Sequence, residues 1–276
     1  MEQVFWTTGC ILRDEGKYCI EWASWLYLIG CDRLICVLHQ CKDDTEANLN
    51  LVKDQLGMDI CVHHCKTEDK KVQMGTYRWI HEKYGQATEW MLFLDGDEYP
   101  YAANPTVNYQ DDIKRMLRSF DKKISSVSFN AKVFGPNGHI VSPGNRLTAY
   151  TARLPQNNLS NHAIKTFFRP EDMIAVMSPH YQQVKGTSVR FDGKPFRLRE
   201  GWGSQESPLW QPVAFNHYYT GSVEDWLSRY QRGSCNDLRS HSAYSLDEFL
   251  SHVQKTEHDD AIQKYSGWHN TLINSI

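Results

Sequence analysis

The sequence lacks the long apolar runs of a membrane protein. None of its apolar stretches approaches the roughly 20 consecutive residues that a bilayer-spanning helix needs. Its first residues, MEQVFWTTGCILRDEGK, contain neither the basic segment nor the apolar segment of a secretory signal peptide. These two absences favour a soluble protein without a transmembrane segment, and we expect it in the cytoplasm.

An excess of positive charge is also missing. The formal net charge is −3 and the isoelectric point is near 6.5. Proteins that bind nucleic acid usually carry a basic face that neutralises phosphates, so nucleic acid is not an expected partner. The chain also has no internal repeat, low-complexity tract or Pro/Ser-rich linker, and we therefore expect residues 1–276 to form a single domain.

Cysteine, in contrast, is concentrated in one region. The chain has eight cysteines, and seven of them lie between positions 10 and 65. The segment Cys61-Val62-His63-His64-Cys65 allows a zinc interpretation, but the pair Cys36 and Cys41 is too loosely spaced to complete a typical site. Because free cysteine behaves as a small hydrophobe, we expect reduced and mostly buried thiols.

Helix and strand patterns alternate through the first hundred residues. Helical periodicity is found at 15–29, 45–56 and 70–84, and short apolar runs typical of buried strands are found at 34–38, 59–63 and 90–94. This alternation predicts parallel strands joined by right-handed crossovers, in which ligands bind beyond the carboxyl ends of the strands. The predicted fold class is therefore α/β, with a Rossmann-like, mostly parallel central sheet flanked by helices.

The second half of the chain is richer in strand patterns. After a helix predicted at 111–119, strand-like segments occur at 125–134, 146–153, 164–169, 173–177 and 213–219, and two closing helices are predicted at 222–232 and 246–255. We expect these strands to extend the first sheet rather than to form a separate domain.

An acidic cluster follows the most apolar strand. Asp95-Gly96-Asp97-Glu98 comes directly after Trp90–Leu94, and carboxylates crowded against an apolar strand repel one another unless a cation joins them. Mn²⁺ or Mg²⁺ is bound by carboxylates together with substrate phosphates, and Gly96 leaves room for a diphosphate to approach. A solvated acidic turn is the alternative, but the position after a strand of a βα unit favours the metal.

Six segments in order resemble glycosyltransferase family 92 and its relatives of the GT-A fold, which are related to the family 2 glycosyltransferases. The similarity covers residues 11–235, and its pieces are Arg13-Asp14-Glu15, Glu21-Trp22 with Gly30-Cys31-Asp32, WMLFLDGDEY at 90–99, FGPNGH at 134–139, Lys165 with Arg169-Pro170 and His180, and Asn216-His217-Tyr218 followed by a helix from Ser222 to Gly233. Asp14 replaces a commoner Asn, and Gly221-Ser222 replaces a commoner Lys-Ser.

The resemblance implies roles for individual residues. Asp95, Asp97 and His217 would hold the metal ion. Lys165, Arg229 and Arg232 are candidates to neutralise the diphosphate, because a cation near the leaving oxygen stabilises its developing charge. The alternative for the two arginines is a solvated helix face with Glu224 and Asp225 as partners. The base and ribose of the nucleotide would contact Arg13, Asp14 and Glu15, with assistance from Asp43 or Asp44.

The catalytic base is open among three candidates. An inverting transfer needs a carboxylate or imidazole within about 3 Å of the acceptor hydroxyl. His139 lies in a glycine-rich turn, Asp172 follows a predicted strand, and Glu206 lies between Trp202 and Trp210, aromatic residues of the kind on which sugars stack.

Together these features predict an inverting, metal-dependent glycosyltransferase. Residues 1–100 would bind the metal and a nucleotide-sugar donor, which the resemblance suggests is UDP-linked, and residues 101–276 would bind a glycan acceptor. A nucleotidyltransferase or phosphatase could use the same acidic cluster, although the chain has neither a Walker-type phosphate loop nor a Gly-x-Gly-x-x-Gly fingerprint. A carbohydrate-binding protein without catalysis is the third alternative, suggested by nine tryptophans and fourteen tyrosines.

Overall fold

A nine-stranded mixed sheet organises the chain in the computed structural model, which describes residues 1–68, 72–195, 198, 203–204, 207–233, 245–253 and 256–276. The strands are β1 Val4–Leu12, β2 Arg33–His39, β3 Asp59–Cys65, β4 Thr88–Phe93, β5 Glu98–Ala102, β6 Ile124–Val133, β7 Ala152–Arg153, β8 Ile164–Phe168, β9 Met173–Val176, β10 Gln182–Val184, β11 Thr187–Arg190, β12 Val213–His217 and β13 Glu257–His258. The helices are α1 Gly16–Leu28, α2 Thr45–Leu56, α3 Val72–Tyr84, α4 Tyr109–Arg118, α5 Val223–Arg232, α6 Leu246–Ser251 and α7 Ser266–Ile273.

The order of strands across the sheet is β3-β2-β1-β4-β8-β6-β12-β5, with β11 paired to β6. Strands β1 to β4 pair in parallel, β8 runs antiparallel to β4 and β6, and β12 is parallel to β6 but antiparallel to β5. The carboxyl ends of β1, β2, β3, β4, β6 and β12 therefore share one edge of the sheet. The mostly parallel α/β sheet predicted from the sequence is confirmed.

Helices cover both faces of the first half of the sheet. Trp22, Leu26 and Leu49 of α1 and α2 join the larger apolar core, whereas Tyr77 and Ile80 of α3 pack in a smaller core on the opposite face. All seven residues of β2 are buried, which explains why its central residues Leu34–Leu38 form an unbroken apolar run instead of an alternating pattern. No helix among the described residues is long and apolar enough to cross a membrane.

The cysteines of the described residues are free thiols. Cys10, Cys19, Cys31 and Cys36 are buried, and Cys41, Cys61 and Cys65 are partly buried. Burial raises the pKa of Cys19 and of Cys31 to about 12, so these two groups stay protonated. The predicted reduced thiols are confirmed for these seven positions, and Cys235 lies outside the described residues.

The secondary structure departs from the prediction in several places. Residues 146–150 form a turn rather than a strand, and only Ala152–Arg153 of the predicted strand at 146–153 pairs. Strand β5 begins at Glu98, directly after the acidic cluster, where no strand was expected. Helix α7 follows the two helices that were predicted to close the chain, and its His269 packs against α1.

Candidate functional site

The acidic cluster forms a tight turn at the carboxyl edge of the sheet. The amide of Glu98 donates to the Asp95 carbonyl at 3.1 Å, and the Glu98 side chain accepts from the Asp95 amide at 2.9 Å. A side chain at Gly96 would begin with a Cβ only 3.0 Å from Leu12 and would face Glu15. The glycine therefore lets this turn lie directly against the end of β1.

Lys165 forms ion pairs with two carboxylates of the turn, Asp95 and Glu98. Its Nζ lies 2.7 Å from Glu98 Oε2 and 3.1 Å from Asp95 Oδ2, and its side chain is fully buried. Burial would lower the pKa of Lys165, but the two carboxylates outweigh it and hold the pKa above its usual range. Burial also raises the pKa of Glu98 to about 7, although Lys165 opposes that shift. Lys165 is thus committed to Asp95 and Glu98 in this structure.

Asp95 receives a second donor from α3. Gln73 Nε2 donates to Asp95 Oδ1 at 2.7 Å, and it also donates to the hydroxyl of Tyr77 at 2.9 Å. Both carboxylate oxygens of Asp95 are therefore hydrogen-bonded by the protein itself. This arrangement fixes the rotamer of Asp95 and ties the first turn of α3 to the acidic turn.

Asp97 faces the other side and meets His217 and Arg229. His217 Nε2 lies 3.5 Å from Asp97 Oδ1, and Arg229 Nη2 lies 3.0 Å from Asp97 Oδ2. Burial alone would raise the pKa of Asp97, but Arg229 and His217 hold it well below its ordinary value. Burial would likewise lower the pKa of His217, and the neighbouring Asp97 raises it instead. The antiparallel register that sets His217 of β12 opposite Glu98 of β5 produces this meeting.

A small polar pocket of about 50 Å³ adjoins Asp97. Four cationic and three acidic side chains line it, and they come from the segment after β1, from the turn at 146–150 and from α5. Arg232 pairs with Glu15 at 2.5 Å, and Arg146 donates to the Gly96 carbonyl at 2.9 Å. The structure therefore gathers Glu15, Arg229 and Arg232, which the resemblance assigned to the nucleotide, beside the acidic turn.

The other residues assigned to the nucleotide lie at the ends of β1 and β2. Asp43 is held by the structure, since its carboxylate accepts from Gly16 N at 2.7 Å and from Thr45 Oγ1 at 2.5 Å. Asp14 accepts from the Lys42 amide at 2.7 Å. Two nitrogens of Arg13, Nε and Nη1, are buried without a hydrogen-bond partner. Asp14 and Asp43 thus connect the loops that follow β1 and β2. Arg13 has two N–H donors in this region without an acceptor.

The three side chains that lie close enough to share one metal ion are not the predicted ligands Asp95, Asp97 and His217. Among the described residues, the ligand atoms of Asp14, Cys41 and Asp43 all lie within 4.8 Å of one another, and they form the one group of three or more such side chains. Asp43 in that group already bridges the amino ends of α1 and α2. Asp97 and His217 meet as a pair, whereas Asp95 points to Lys165 and Gln73.

The candidate bases fall in different places. His139 lies on the carboxyl side of the sheet, and its Nε2 donates to the Ala149 carbonyl at 3.0 Å. Asp172 accepts from Ser125 at the start of β6, at the opposite edge, about 25 Å along the strand from the end beside His217. Glu206 lies outside the described residues.

A further imidazole at the carboxyl edge belongs to His180, which the sequence analysis noted but did not assign. Its Nδ1 donates to the Ile164 carbonyl at 3.1 Å, so Nε2 is the accepting nitrogen. Burial, with help from Lys165, lowers the pKa of His180 to about 4. His180 is therefore neutral near pH 7.

Sequence reasoning missed Arg146, Gln73 and Glu21. Glu21 is buried and accepts from the Arg146 amide at 3.0 Å and from the Leu147 amide at 3.1 Å, although it lies far away in the chain. The only sequence signal for Glu21 was its place in the Glu-Trp pair of the resemblance. Arg146 lies in a segment that was predicted to be a strand, so its contact with the acidic turn was not expected.

Comparison with known proteins gives only distant structural similarity. No protein-family model matches the chain, and no curated protein matches it either. Three crystal structures of TarS 1–349 from S. aureus are similar. The complex with UDP-GlcNAc is 16% identical over 60% of this chain and 46% of that chain, with a TM-score of 0.39. The complex with UDP is 17% identical over 60% of this chain and 47% of that chain, with a TM-score of 0.37. The third structure, of TarS 1–349, is 12% identical over 99% of this chain and 70% of that chain, with a TM-score of 0.43. The chain spans about half the length of the first two TarS chains that it matches.

Proposed function

We propose that this chain is an inverting, metal-dependent glycosyltransferase of the GT-A type, which moves a sugar from a UDP-linked donor to a hydroxyl of a glycan acceptor. The observation that carries the proposal is the pairing of Asp97 with His217 at the carboxyl edge of the sheet, beside Arg229. That edge is where ligands of parallel α/β sheets bind. The order of motifs shared with glycosyltransferase family 92 supports the same assignment.

The pair Asp97 and His217 fits a divalent ion. Carboxylate and imidazole are both ligands of Mn²⁺, and a separation of 3.5 Å between Asp97 Oδ1 and His217 Nε2 suits two neighbouring positions on one ion. The orientation of His217 is set by β12, and that of Asp97 by its carbonyl, which accepts from the Tyr218 amide at 3.0 Å. When bound, the ion would offset the negative charge of the donor's diphosphate. Asp95 remains a predicted ligand, and its contacts with Lys165 and Gln73 would position the turn.

The cations of the site suit the leaving group. In an inverting transfer the acceptor oxygen bonds to the anomeric carbon, the bond from that carbon to the diphosphate oxygen breaks, and a base takes the hydroxyl proton. Arg229 and Arg232 lie on one face of α5 and reach Asp97 and Glu15. A guanidinium there would bind the departing diphosphate through two N–H groups.

For the base, the structure favours the imidazoles over Asp172, because that carboxylate lies at the other edge of the sheet. His180 and His139 both lie at the carboxyl edge, and each has one ring nitrogen fixed by a backbone carbonyl. Replacing each in turn by alanine and measuring kcat would identify the base. Loss of kcat with little change in donor KM marks the catalytic residue.

The proposal is tested by a screen of nucleotide sugars scored by nucleotide release. UDP-GlcNAc and UDP are the first ligands to try with Mn²⁺, because the TarS complexes contain them. UDP with Mn²⁺ should raise the melting temperature, since a ligand that binds the folded state stabilises it by mass action. A carbohydrate-binding protein would show no such shift, and a nucleotidyltransferase would release pyrophosphate from a nucleoside triphosphate.

Stereochemistry tests the mechanism separately. A single in-line displacement on an α-linked UDP-hexose gives a β-linked product, which the coupling of the anomeric proton reveals by NMR. An α-linked product would refute the inverting mechanism and the placement near family 92.

A further inference from the structure

Arg146 is a buried cation with few partners. Its side chain is 1% exposed, and its Nη1 donates to the Gly96 carbonyl at 2.9 Å. Nη2 lies 3.9 Å from Glu15 Oε2, beyond hydrogen-bonding distance, and the buried Nε has no partner. A guanidinium offers five N–H donors, and a buried charge without matching acceptors is costly. The buried Nε therefore lacks an acceptor, although burial is outweighed by Tyr99, Glu15 and Asp97, which hold the pKa of Arg146 above its usual range.

Its surroundings hold Arg146 firmly in that place. The buried Glu21 carboxylate accepts from the backbone amides of Arg146 and Leu147, and it also accepts from the Tyr99 hydroxyl at 3.2 Å. The guanidinium lies over the ring of Tyr18, with 3.7 Å between its carbon and the ring centre. These contacts fix the direction of the guanidinium without neutralising its charge.

The carboxylates that line the pocket beside Arg146 have other partners, and Asp14 among them accepts from the Lys42 amide at 2.7 Å. Lys17 takes up Asp225 at 3.2 Å, and Arg232 takes up the nearer oxygen of Glu15. Four cationic and three acidic side chains line this pocket of about 50 Å³, and Arg229 pairs with Asp97 at 3.0 Å. Among these four cations, Arg146 is the one whose nearest carboxylate is as far as 3.9 Å away, so an anion entering the pocket would supply the closer partner that it lacks.

We propose that Arg146, together with Arg229 and Arg232, forms a binding site for the oxygens of a diphosphate, with Arg146 as its central and prearranged member. This inference rests on the proposed function, because the donor's diphosphate is the anion that a glycosyltransferase would bring there. Arg146 also donates to the Gly96 carbonyl, so it joins the diphosphate to the turn that orients Asp97. Glu21 is a positioning residue, which acts on the diphosphate through the backbone of Arg146.

Inorganic pyrophosphate is the probe that isolates this site, with binding measured by isothermal titration calorimetry in the absence of divalent ions. Arg146→Met should weaken pyrophosphate binding at least about tenfold, because a charged bidentate donor is removed. Arg146→Lys keeps the charge but loses the planar guanidinium, so it should weaken pyrophosphate binding by a smaller factor. This variant tests the site if Arg146→Met does not fold. Glu21→Gln should weaken pyrophosphate binding without removing any group of the pocket.

Arg33→Met is the matched control. Arg33 is also a buried arginine, with a side chain 6% exposed, but it pairs with Asp59 at the amino end of β2. Its replacement should leave pyrophosphate binding within about twofold of wild type, as expected for a site without contact. If Arg146→Met and Arg146→Lys both bind pyrophosphate as tightly as Arg33→Met does, the proposed diphosphate site is refuted.

The outcome separates this site from the proposed function. Pyrophosphate binding that depends on Arg146, in a protein that transfers no sugar from any nucleotide sugar, would keep the anion site and refute the glycosyltransferase. Sugar transfer whose donor KM is unchanged in Arg146→Lys would keep the glycosyltransferase and refute the anion site.

Discussion

Arg229 and Asp97 form a largely buried ion pair, with Arg229 Nη2 3.0 Å from Asp97 Oδ2. A carboxylate predicted to hold the metal ion is thus already balanced by a cation of the chain. A divalent ion on Asp97 would bring a second positive charge beside the guanidinium. Arg229 would then bind an anionic ligand more strongly, which links metal and diphosphate at one carboxylate.

The first prediction concerns Asp97→Asn. The amide preserves the shape of the side chain but removes the charge proposed to bind the metal, so transfer in Mn²⁺ should fall below about a tenth of wild type. Arg229 loses its ionic partner, and the free energy of unfolding should drop by about 1–3 kcal/mol. Asp54→Asn, an exposed position on α2, is the control and should change neither quantity. Transfer above that tenth would remove Asp97 from the metal site.

Metal affinity should depend on pH through His217. An imidazole must be neutral to bind a metal ion, and Asp97 raises the pKa of His217 above its ordinary value of 6.5. The affinity for Mn²⁺ should therefore weaken as the pH falls through a range that begins above 6.5. Titration of Mn²⁺ binding between about pH 5 and 8.5 tests this, as the range brackets an imidazole. In His217→Gln that pH dependence should disappear, and its persistence would show that His217 is structural.

Without metal, the same pair should stabilise the fold in a definite pH window. The pKa of His217 is raised, so its contribution is complete below 6.5 and is lost as the pH rises through the folded value. The pKa of Asp97 is lowered, so its contribution is present above 3.8 and is lost in strong acid. In EDTA, His217→Gln should therefore cost more unfolding free energy at pH 5.5 than at pH 9. An equal cost at both values would contradict a protonated His217.

Lys165 and Glu98 should behave as a coupled pair. Lys165→Met leaves the Glu98 carboxylate buried without its cation, and the loss of stability should be roughly 3–5 kcal/mol. Combining it with Glu98→Gln removes both charges and should recover much of that loss. A double-mutant cycle from urea unfolding measures the coupling. Additive losses would show that the short contact of 2.7 Å contributes no specific interaction.

Helix α7 should loosen in acid because of His269. Burial lowers the pKa of His269 to about 4, and its Nε2 lies 3.0 Å from Ser24 Oγ of α1. Between 6.5 and about 4 the unfolded chain binds a proton that the folded chain does not, so stability falls as the pH falls through this window. The full effect is on the order of 3 kcal/mol.

His269→Phe removes that titration while it keeps a ring beside Trp25. Its unfolding free energy should decline less between pH 7 and 4.5 than that of the wild type. His258→Gln, at an exposed position, should retain the full decline. An identical decline in wild type and His269→Phe would place the acid sensitivity elsewhere.

Much of the fold could be predicted from local patterns. The helix at 15–29 and the strand at 34–38 match α1 and β2 closely, because apolar periodicity reports which side of an element faces the core. The same patterns led to the expectation that Asp95 and Asp97 follow a buried strand at the carboxyl edge. The strand predicted at 146–153 was wrong at 146–150 because the amides of Arg146 and Leu147 donate to the distant Glu21 carboxylate, and that contact has no local signature.

The sequence by itself determined the alternation of helices and parallel strands, and therefore the edge at which the acidic cluster lies. The tertiary structure alone decided which side chains meet there. It directed Asp95 to Lys165 and Asp97 to Arg229, placed Asp172 at the far edge, and brought Arg146 to the Gly96 carbonyl. The physical reason is that hydrophobic periodicity is written over neighbouring residues, whereas the pairing of charges depends on strand register and loop paths that join distant parts of the chain.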